Sequence, residues 1–528
     1  MLKVLIADKL EKEGVDILKA EKEISVDLKP GISAKELLQV IKDYDALIVR
    51  SGTKVTREVL EAGTRLKVVG RAGVGLDNVD VEAASKRGVI VMNTPGGNTI
   101  STAEHTFSML LALSRNIPQA SAILRQGKWD RSRFVGVELC GKILGIVGLG
   151  RIGTEVAKRG IAFGMKVMAY DPFLSKEKAA QIGIELVGLD EVLENADFIT
   201  FHTPLTPETK YLLNEKTLQK VKKGVRIINC ARGGIIDEKA LAKAIQEGKV
   251  AGAALDVLEE EPPQNGNPLL ALEQVVITPH LGASTEEAQV NVAIEIARQV
   301  RDTLLGRGII NAVNVPSLSA ELLKEMKPYL ELGEKLGALE AQLVAGHINQ
   351  VIIRYAGEVT SYELAPITVA VIKGILTPFL QETVNYVNAS LIAAERGIKV
   401  IETKSTELKE FANFISVEIQ TDKMKKSVVG TLFTRVDPRI VRVDNFHVDA
   451  SPYGYMLFIA NLDKPGVVGH TGTVLGKNGI NIAGMTFGRD KAGGEAVSII
   501  NVDSFVSDKV IEEIKKSKNI LEVKLVKL

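Results

Sequence analysis

Through the first 290 residues, short apolar runs rich in Val, Ile and Leu alternate with stretches whose apolar positions recur at helical spacing. The runs fall at residues 3–7, 46–50, 66–70 and 89–92, and again at 142–147, 198–202, 225–230, 251–256 and 275–280. This alternation predicts parallel sheets wrapped by helices. Between the two sets, residues 98–127 predict one or two long helices interrupted near Pro118. A helix from near Thr285 to about Gly306 follows the second set, and residues 309–315 return toward the first before Pro316 marks a boundary. Beyond it lie a long helical stretch (319–345), then mixed strands and helices to about 450. From Tyr455 the order is strand, helix, strand, strand, helix, strand, a βαββαβ unit of ferredoxin type. The expected fold class is α/β: two doubly wound parallel-sheet domains (1–97 plus 290–316, and 98–289), then an α+β domain (317–452) and the βαββαβ domain (453–528).

One turn in the second alternation carries distinctive chemistry. Gly148-Leu-Gly-Arg-Ile-Gly153 follows an apolar run, opens a helical run ending near Phe163, and precedes a second apolar run that ends in Asp171. Gly148 permits the tight turn, Gly150 lets backbone approach a pyrophosphate, and Gly153 lets helix and strand pack. The helix N-terminus offers free N–H groups to the phosphates. Asp171 is placed to accept from ribose hydroxyls and to repel a 2′-phosphate, so the expected cofactor is NAD rather than NADP. The first alternation lacks such a loop and is expected to shape the substrate site.

Composition narrows the partners. Lys plus Arg number 66 against 65 Asp plus Glu, so the formal charge of +1 advertises neither a nucleic-acid nor a membrane partner. An acid, Asp8, interrupts the N-terminal apolar run before a signal core forms, and no apolar run is long enough to span a bilayer; a cytoplasmic protein is expected. The two cysteines, Cys140 and Cys230, suggest neither a disulfide framework nor a metal site.

Hydride transfer between a 2-hydroxy acid and NAD needs a base for the hydroxyl proton, a group that tunes the base, and a cation for the carboxylate. Histidine titrates near neutrality, a neighbouring carboxylate fixes its ring and raises its pKa, and arginine pairs a carboxylate through two hydrogen bonds. Arg232, Glu261 and His280 fall at successive strand exits of the second alternation and are the candidates. Of the six histidines, His105, His347, His447 and His470 read as structural, and His202 is the second choice for the base. Glu261 is ambiguous by itself, because three successive glutamates usually form a solvated turn. Past the strand ends of the first alternation stand Arg50-Ser51-Gly52 and Arg71, where a small anion could be held. Trp129, the one tryptophan, stands beside Arg131 in a charged loop.

Gly148-Leu-Gly-Arg-Ile-Gly153, Asn229-Cys-Ala-Arg-Gly-Gly234, Ala254-Leu-Asp-Val257 with Glu261-Pro-Pro263, and Thr278-Pro-His-Leu-Gly-Ala283 together resemble the D-isomer-specific 2-hydroxyacid dehydrogenases. Gly70 to Asp80, Trp129-Asp-Arg131 and the long C-terminal extension resemble those members of that family that act on 3-phospho-D-glycerate. The resemblance implies that His280 moves the proton, Glu261 pairs with it and Arg232 binds the carboxylate. It implies that Val74, Gly148, Gly150, Arg151, Ile152, Gly153, Asp171, Thr203, Pro204, Cys230, Ala231, Asp256, Gly282 and Ala283 line NAD. Arg50, Ser51, Gly52 and Arg71 would contact substrate, and Arg131 would reach its phosphate from a neighbouring subunit, with Trp129 at the dimer contact. The last unit resembles an ACT domain, whose matching positions Asn461, Asp463 and Asn481 would hold an effector amino acid, L-serine. The expected activity is NAD-dependent oxidation of 3-phospho-D-glycerate in a serine-restrained homotetramer. Two alternatives stand beside it: a dehydrogenase or reductase for another small acid (D-lactate, glycerate, glyoxylate or 2-hydroxyglutarate), and an NAD-sensing binding protein.

Overall fold

The computed structural model describes residues 1–264, 266–380, 384–405 and 413–528. The first sheet is all parallel, in the order Ile24–Leu28, Leu2–Ile6, Ala46–Val49, Val68–Arg71, Ile90–Met92. Alternate side chains serve opposite faces. Leu5, Leu47, Val69 and Val91 pack with Leu37, Ile41, Val59 and Leu60 on one side. On the other, Val4, Ile6, Ile48 and Val68 pack with Leu18, Val292, Ile296 and Val300. Burial on both faces is why these strands read as continuous apolar runs. The edge strand Ile24–Leu28 did not stand out in the sequence because only its first residue is buried and its last two are exposed. The helix Glu286–Leu304 therefore packs on the first sheet, and the following chain pairs with that sheet's last strand, Val313 N donating to Val91 O at 2.9 Å.

The second sheet has seven parallel strands in the order Val275–Ile277, Val250–Leu255, Val225–Asn229, Phe198–Phe201, Ile143–Val147, Lys166–Tyr170, Glu185–Leu186. Strand order reverses between Ile143–Val147 and Phe198–Phe201, which creates a crevice at their carboxyl ends. The helices Thr99–Arg115 and Ile117–Arg125 follow the first sheet. Their break is at Asn116, in the left-handed region at φ 52°, while Pro118 sits in the second helix's first turn, where a missing N–H costs nothing. The expected interruption near Pro118 thus has a different cause.

The third unit packs the helices Ala320–Leu343 and Ala365–Leu376 on a six-stranded sheet. Gly337 permits the close helix pairing, since a Cβ there would collide with Val371 O. In the last unit Ile482–Arg489, Glu495–Val502, Tyr455–Leu462 and Ile520–Lys527 form an antiparallel sheet, which completes the expected βαββαβ order. One face covers its own helices through Leu457, Ile459 and Ile500; the other shares a core with the third unit through Met456, Phe458, Ile499 and Val526. Among the described residues, no helix is long and apolar enough to cross a membrane.

Candidate active site

The glycine loop fits a pyrophosphate for reasons that differ at each position. Gly148 turns at φ 94° and donates to Tyr170 O at 2.8 Å. A Cβ on Gly153 would collide with Gly148 O, so this glycine sets helix-on-strand packing, whereas a Cβ on Gly150 would meet nothing within 4 Å. Arg151 and Ile152 open the helix Arg151–Ala162. Asp171 is anchored by Leu149 N and Phe173 N, each at 2.8 Å, one to either oxygen. Along the neighbouring strand exits, the Thr203 hydroxyl is buried without a hydrogen-bond partner, and Pro204 O accepts from Thr209. Burial and the charge of Asp256 push the Cys230 thiol up to about 12, so it stays protonated. An orphaned hydroxyl, a backbone-only cradle and a fixed carboxylate are together suited to NAD.

Arg232, Glu261 and His280 converge at three loops of the second sheet. Asn229, buried, ties the first of them: its amide donates to Arg232 O at 2.9 Å and its oxygen accepts from Ala231 N at 3.0 Å. Glu261 accepts from Leu258 N at 3.2 Å with one oxygen and contacts His280 Nδ1 at 2.8 Å with the other. The neighbouring Glu259 turns away, bonding Tyr211 and the backbone of Glu238, which resolves the ambiguity of the glutamate run. Hydrogen bonding to Glu261 raises the His280 pKa against the effect of desolvation; Asp256 adds to the rise and Arg232 opposes it. Burial pushes Glu261 up, yet the hydrogen bond and charge of His280 hold it below the usual carboxylate range. His202 does not join this cluster: its ring bonds Thr200, and desolvation keeps it neutral at pH 7.

His280 itself stands in the left-handed region at φ 54°, and Asp256 holds it there. The Asp256 backbone oxygen accepts from His280 N at 2.9 Å. Its carboxylate, 1% exposed, accepts from Thr278 Oγ1 (2.6 Å), Leu281 N (2.7 Å) and Gly282 N (2.8 Å), and lies 3.1 Å from His105 Nε2. Ser101 and Thr102 donate to Gly282 O, and half-buried Ala283 follows. His105, Cys230 and Asp256 place possible ligand atoms within 4.8 Å of one another. The Asp256 carboxylate is already occupied by its donors, which makes this a hydrogen-bonded clamp. His105 thus has a structural part in the site that periodicity did not signal.

Across the cleft, the first sheet contributes cations. Asp8 accepts from Arg50 N at 2.6 Å and Thr53 N at 3.2 Å, and a Cβ on Gly52 would come within 2.8 Å of the Asp8 carboxylate. The Asn78 amide donates to Arg50 O and Thr53 O, each at 2.6 Å, leaving Ser51 exposed at the loop tip. Asp8 and Asn78 were missed in the sequence, where neither has a local signature. Val74 O accepts from Asn93 at 2.6 Å. Burial, with the charges of Arg232 and Arg50, pushes Arg71 down to about 10, and its Nε is buried without a hydrogen-bond partner. Arg131 and Trp129 stay outside the cluster; Arg131 is exposed and Trp129 is 78% exposed.

Residues 107–282 match the NAD-binding domain of the D-isomer-specific 2-hydroxyacid dehydrogenases, 325–444 the D-3-phosphoglycerate dehydrogenase intervening domain, and 455–519 the ACT domain. The D-3-phosphoglycerate dehydrogenase of Methanocaldococcus jannaschii is 47% identical over all of this chain and all of its own length. That of Synechocystis is 46% identical, over all of this chain and 95% of its own. The chain belongs to the D-3-phosphoglycerate dehydrogenase family. Aquifex aeolicus D-lactate dehydrogenase, solved with NAD and lactic acid, is similar over 60% of this chain and 100% of its own (TM-score 0.53, 30% identity). Like its family, the chain is an NAD-dependent oxidoreductase.

In the ACT domain of this family member, the three candidate effector residues are held separately. Asn461, buried, accepts from Ser498 and donates to Leu462 O, both at 2.9 Å. Asp463 accepts from Arg489 at 2.9 Å and Gly493 N at 3.1 Å, and the Asn481 amide donates to Asp503 at 2.6 Å.

The glycine loop generates a paired expectation. Gly153→Ala should lower the melting temperature, because its Cβ has nowhere to go. Gly150→Ala should leave melting unchanged and weaken NAD binding about tenfold or more, as a methyl at the cradle holds the pyrophosphate away. Thermal melting and NADH fluorescence titration on both variants check this.

Proposed function

We propose that the enzyme oxidises 3-phospho-D-glycerate to 3-phosphohydroxypyruvate, with His280 as the base, Glu261 as its tuning partner and Arg232 as the carboxylate clamp. NAD supplies the hydride acceptor. Nδ1 of His280 is engaged by Glu261, so Nε2 is left to accept the proton of the 2-hydroxyl as C2 becomes a carbonyl. The imidazolium that forms is stabilised by the Glu261 charge, and Arg232 holds the carboxylate beside the reacting carbon.

The observation that carries the choice of substrate is the convergence of Arg50, Arg71 and Arg232, where burial first, and then the charges of Arg232 and Arg50, lower the basicity of Arg71. A lone carboxylate can engage only part of this donor set, whereas a carboxylate plus a phosphate offers oxygen acceptors to all three guanidinium groups. Exposed Arg131 supports a fourth contact from a neighbouring copy, and exposed Ile117, Leu124, Trp129 and Val135 support assembly, read here as a homotetramer. Both cysteines are free thiols, in keeping with a cytoplasmic setting. L-serine is the proposed effector of the ACT domain.

The direct test is steady-state oxidation with NAD of 3-phospho-D-glycerate, D-glycerate and D-lactate. kcat/KM should favour the phosphorylated acid at least about a hundredfold; comparable rates on D-glycerate would move the assignment to an unphosphorylated acid. Glu261→Gln has a signed effect on pH dependence. His280 must be neutral to accept a proton, and Glu261 raises its pKa, so oxidation is lost as pH falls through that raised value. Removing the charge should shift this acid limb to lower pH while lowering kcat by about tenfold to a hundredfold. L-serine should inhibit the wild type, and Asn481→Ala should relieve inhibition without changing uninhibited turnover; a wild type indifferent to serine removes the effector assignment.

A further inference from the structure

The guanidinium of Arg232 is already engaged along both edges that could grip a carboxylate with two hydrogen bonds. Nη1 donates to Ala231 O at 2.7 Å, and Nε lies 3.3 Å from the Asp77 carboxylate. Asp77 belongs to the loop after the strand Val68–Arg71 of the first sheet, whereas Arg232 follows Val225–Asn229 of the second, so the ion pair spans the cleft. The loop is built for close approach: a Cβ on Gly75 would collide with Arg232 Nη2 and come within 2.7 Å of Asp77 Oδ2. Asp77 and Asp8 are the acids whose charges offset the arginine cluster at Arg71, and Asp8 is committed to the backbone of Arg50 and Thr53. Asp77 is the exposed one, with its side chain 70% accessible to solvent.

We propose that Asp77 is an internal competitor for the Arg232 edge, which the substrate carboxylate must displace. This rests on Arg232 receiving that carboxylate. The side-on edge, Nε with Nη2, can be shared by two carboxylates only with one oxygen each, so full engagement of the substrate releases Asp77. The competition weakens every oxyanion at Arg232 by a common factor. An acid that also reaches Arg50 and Arg71 retains enough contacts to displace Asp77, while a small inorganic anion is held off. Asp77 therefore sets how tightly the Arg232 edge binds any oxyanion, and its removal tightens binding, opposite to the loss expected of a residue that merely shapes its loop.

The test is Asp77→Asn in the full-length enzyme, with sodium sulfate as competitor against 3-phospho-D-glycerate. An exposed pair of this kind is worth a few-fold, so KM for the acid and Ki for sulfate should both fall by about threefold. The KM for NAD and the melting temperature should stay unchanged, and Asp77→Glu should return both constants to wild-type values. Should Asn disturb the fold, Asp77→Ser serves with the same expected sign. A sulfate Ki that is unchanged or raised in a variant that melts normally overturns the proposal. Failure of the wild type to oxidise 3-phospho-D-glycerate overturns the substrate assignment instead, and is seen before any variant is made.

Discussion

A buried carboxylate is affordable in a protein only when donors surround it, and the Asp256 carboxylate is the one on which the site's geometry turns. Its donors are the backbone of Leu281 and Gly282, the Thr278 hydroxyl and the His105 ring. These groups bracket His280, whose left-handed backbone is unfavourable without such support. His105, Ser101 and Thr102 come from successive turns of one helix, Thr99–Arg115, which begins where the chain leaves the first sheet. The loop carrying His280 is thus fastened to the element that connects the two halves of the cleft. Asp256 also lies close enough for its charge to raise the His280 pKa, so one residue fixes both the position of His280 and part of its basicity.

The opposite wall follows a different rule. Arg50, Arg71 and Arg232 repel one another, and the loops around them are held through backbone capture by the side chains of Asp8, Asn78 and Asn229. A site built this way is less stable than its neutral counterpart, and the same repulsion becomes favourable binding energy once an anion enters. The Glu261–His280 pair stands on loops of the second sheet, while the cations come from both sheets, Arg50 and Arg71 from the first and Arg232 from the second, where Asp77 of the first reaches across to it.

How much of this was legible depended on whether the signal was local. Gly148, Gly150 and Gly153 sit in one turn, and their distinct backbone demands can be read from spacing. The strand runs were visible because burial on both faces makes them continuously apolar, and the polar edge strand Ile24–Leu28 was not, for the same reason. Arg232, Glu261 and His280 could be placed at strand exits, but periodicity left Glu261 among three glutamates and His280 no better than an even choice; the resemblance of the surrounding motifs separated them. Asp8, Asn78 and Asn229 act through hydrogen bonds to backbone that is distant in sequence or hidden in a turn, and no pattern of apolar positions encodes those. His105 looked structural because it lies in a helix, and the helix is what carries it to Asp256.

The C-terminal half is joined to the catalytic half by packing as well as by chain. Ile309 and Leu318 exchange backbone hydrogen bonds at 2.8 and 2.6 Å, just before the helix Ala320–Leu343 begins. Asn314 bonds Val91 N and Val89 O of the first sheet, and the Asn385 amide of the third unit donates to Gly88 O. At its far end the same helix exchanges hydrogen bonds with the last strand, Gln342 with the backbone of Lys527, and shares a core with Met456, Phe458 and Val526. A displacement of the last sheet would press on a continuous apolar core, and that core abuts the segment that returns to the first sheet. Close-packed interiors transmit displacements instead of absorbing them, and here one helix and one returning segment pack the ACT domain continuously onto the first sheet.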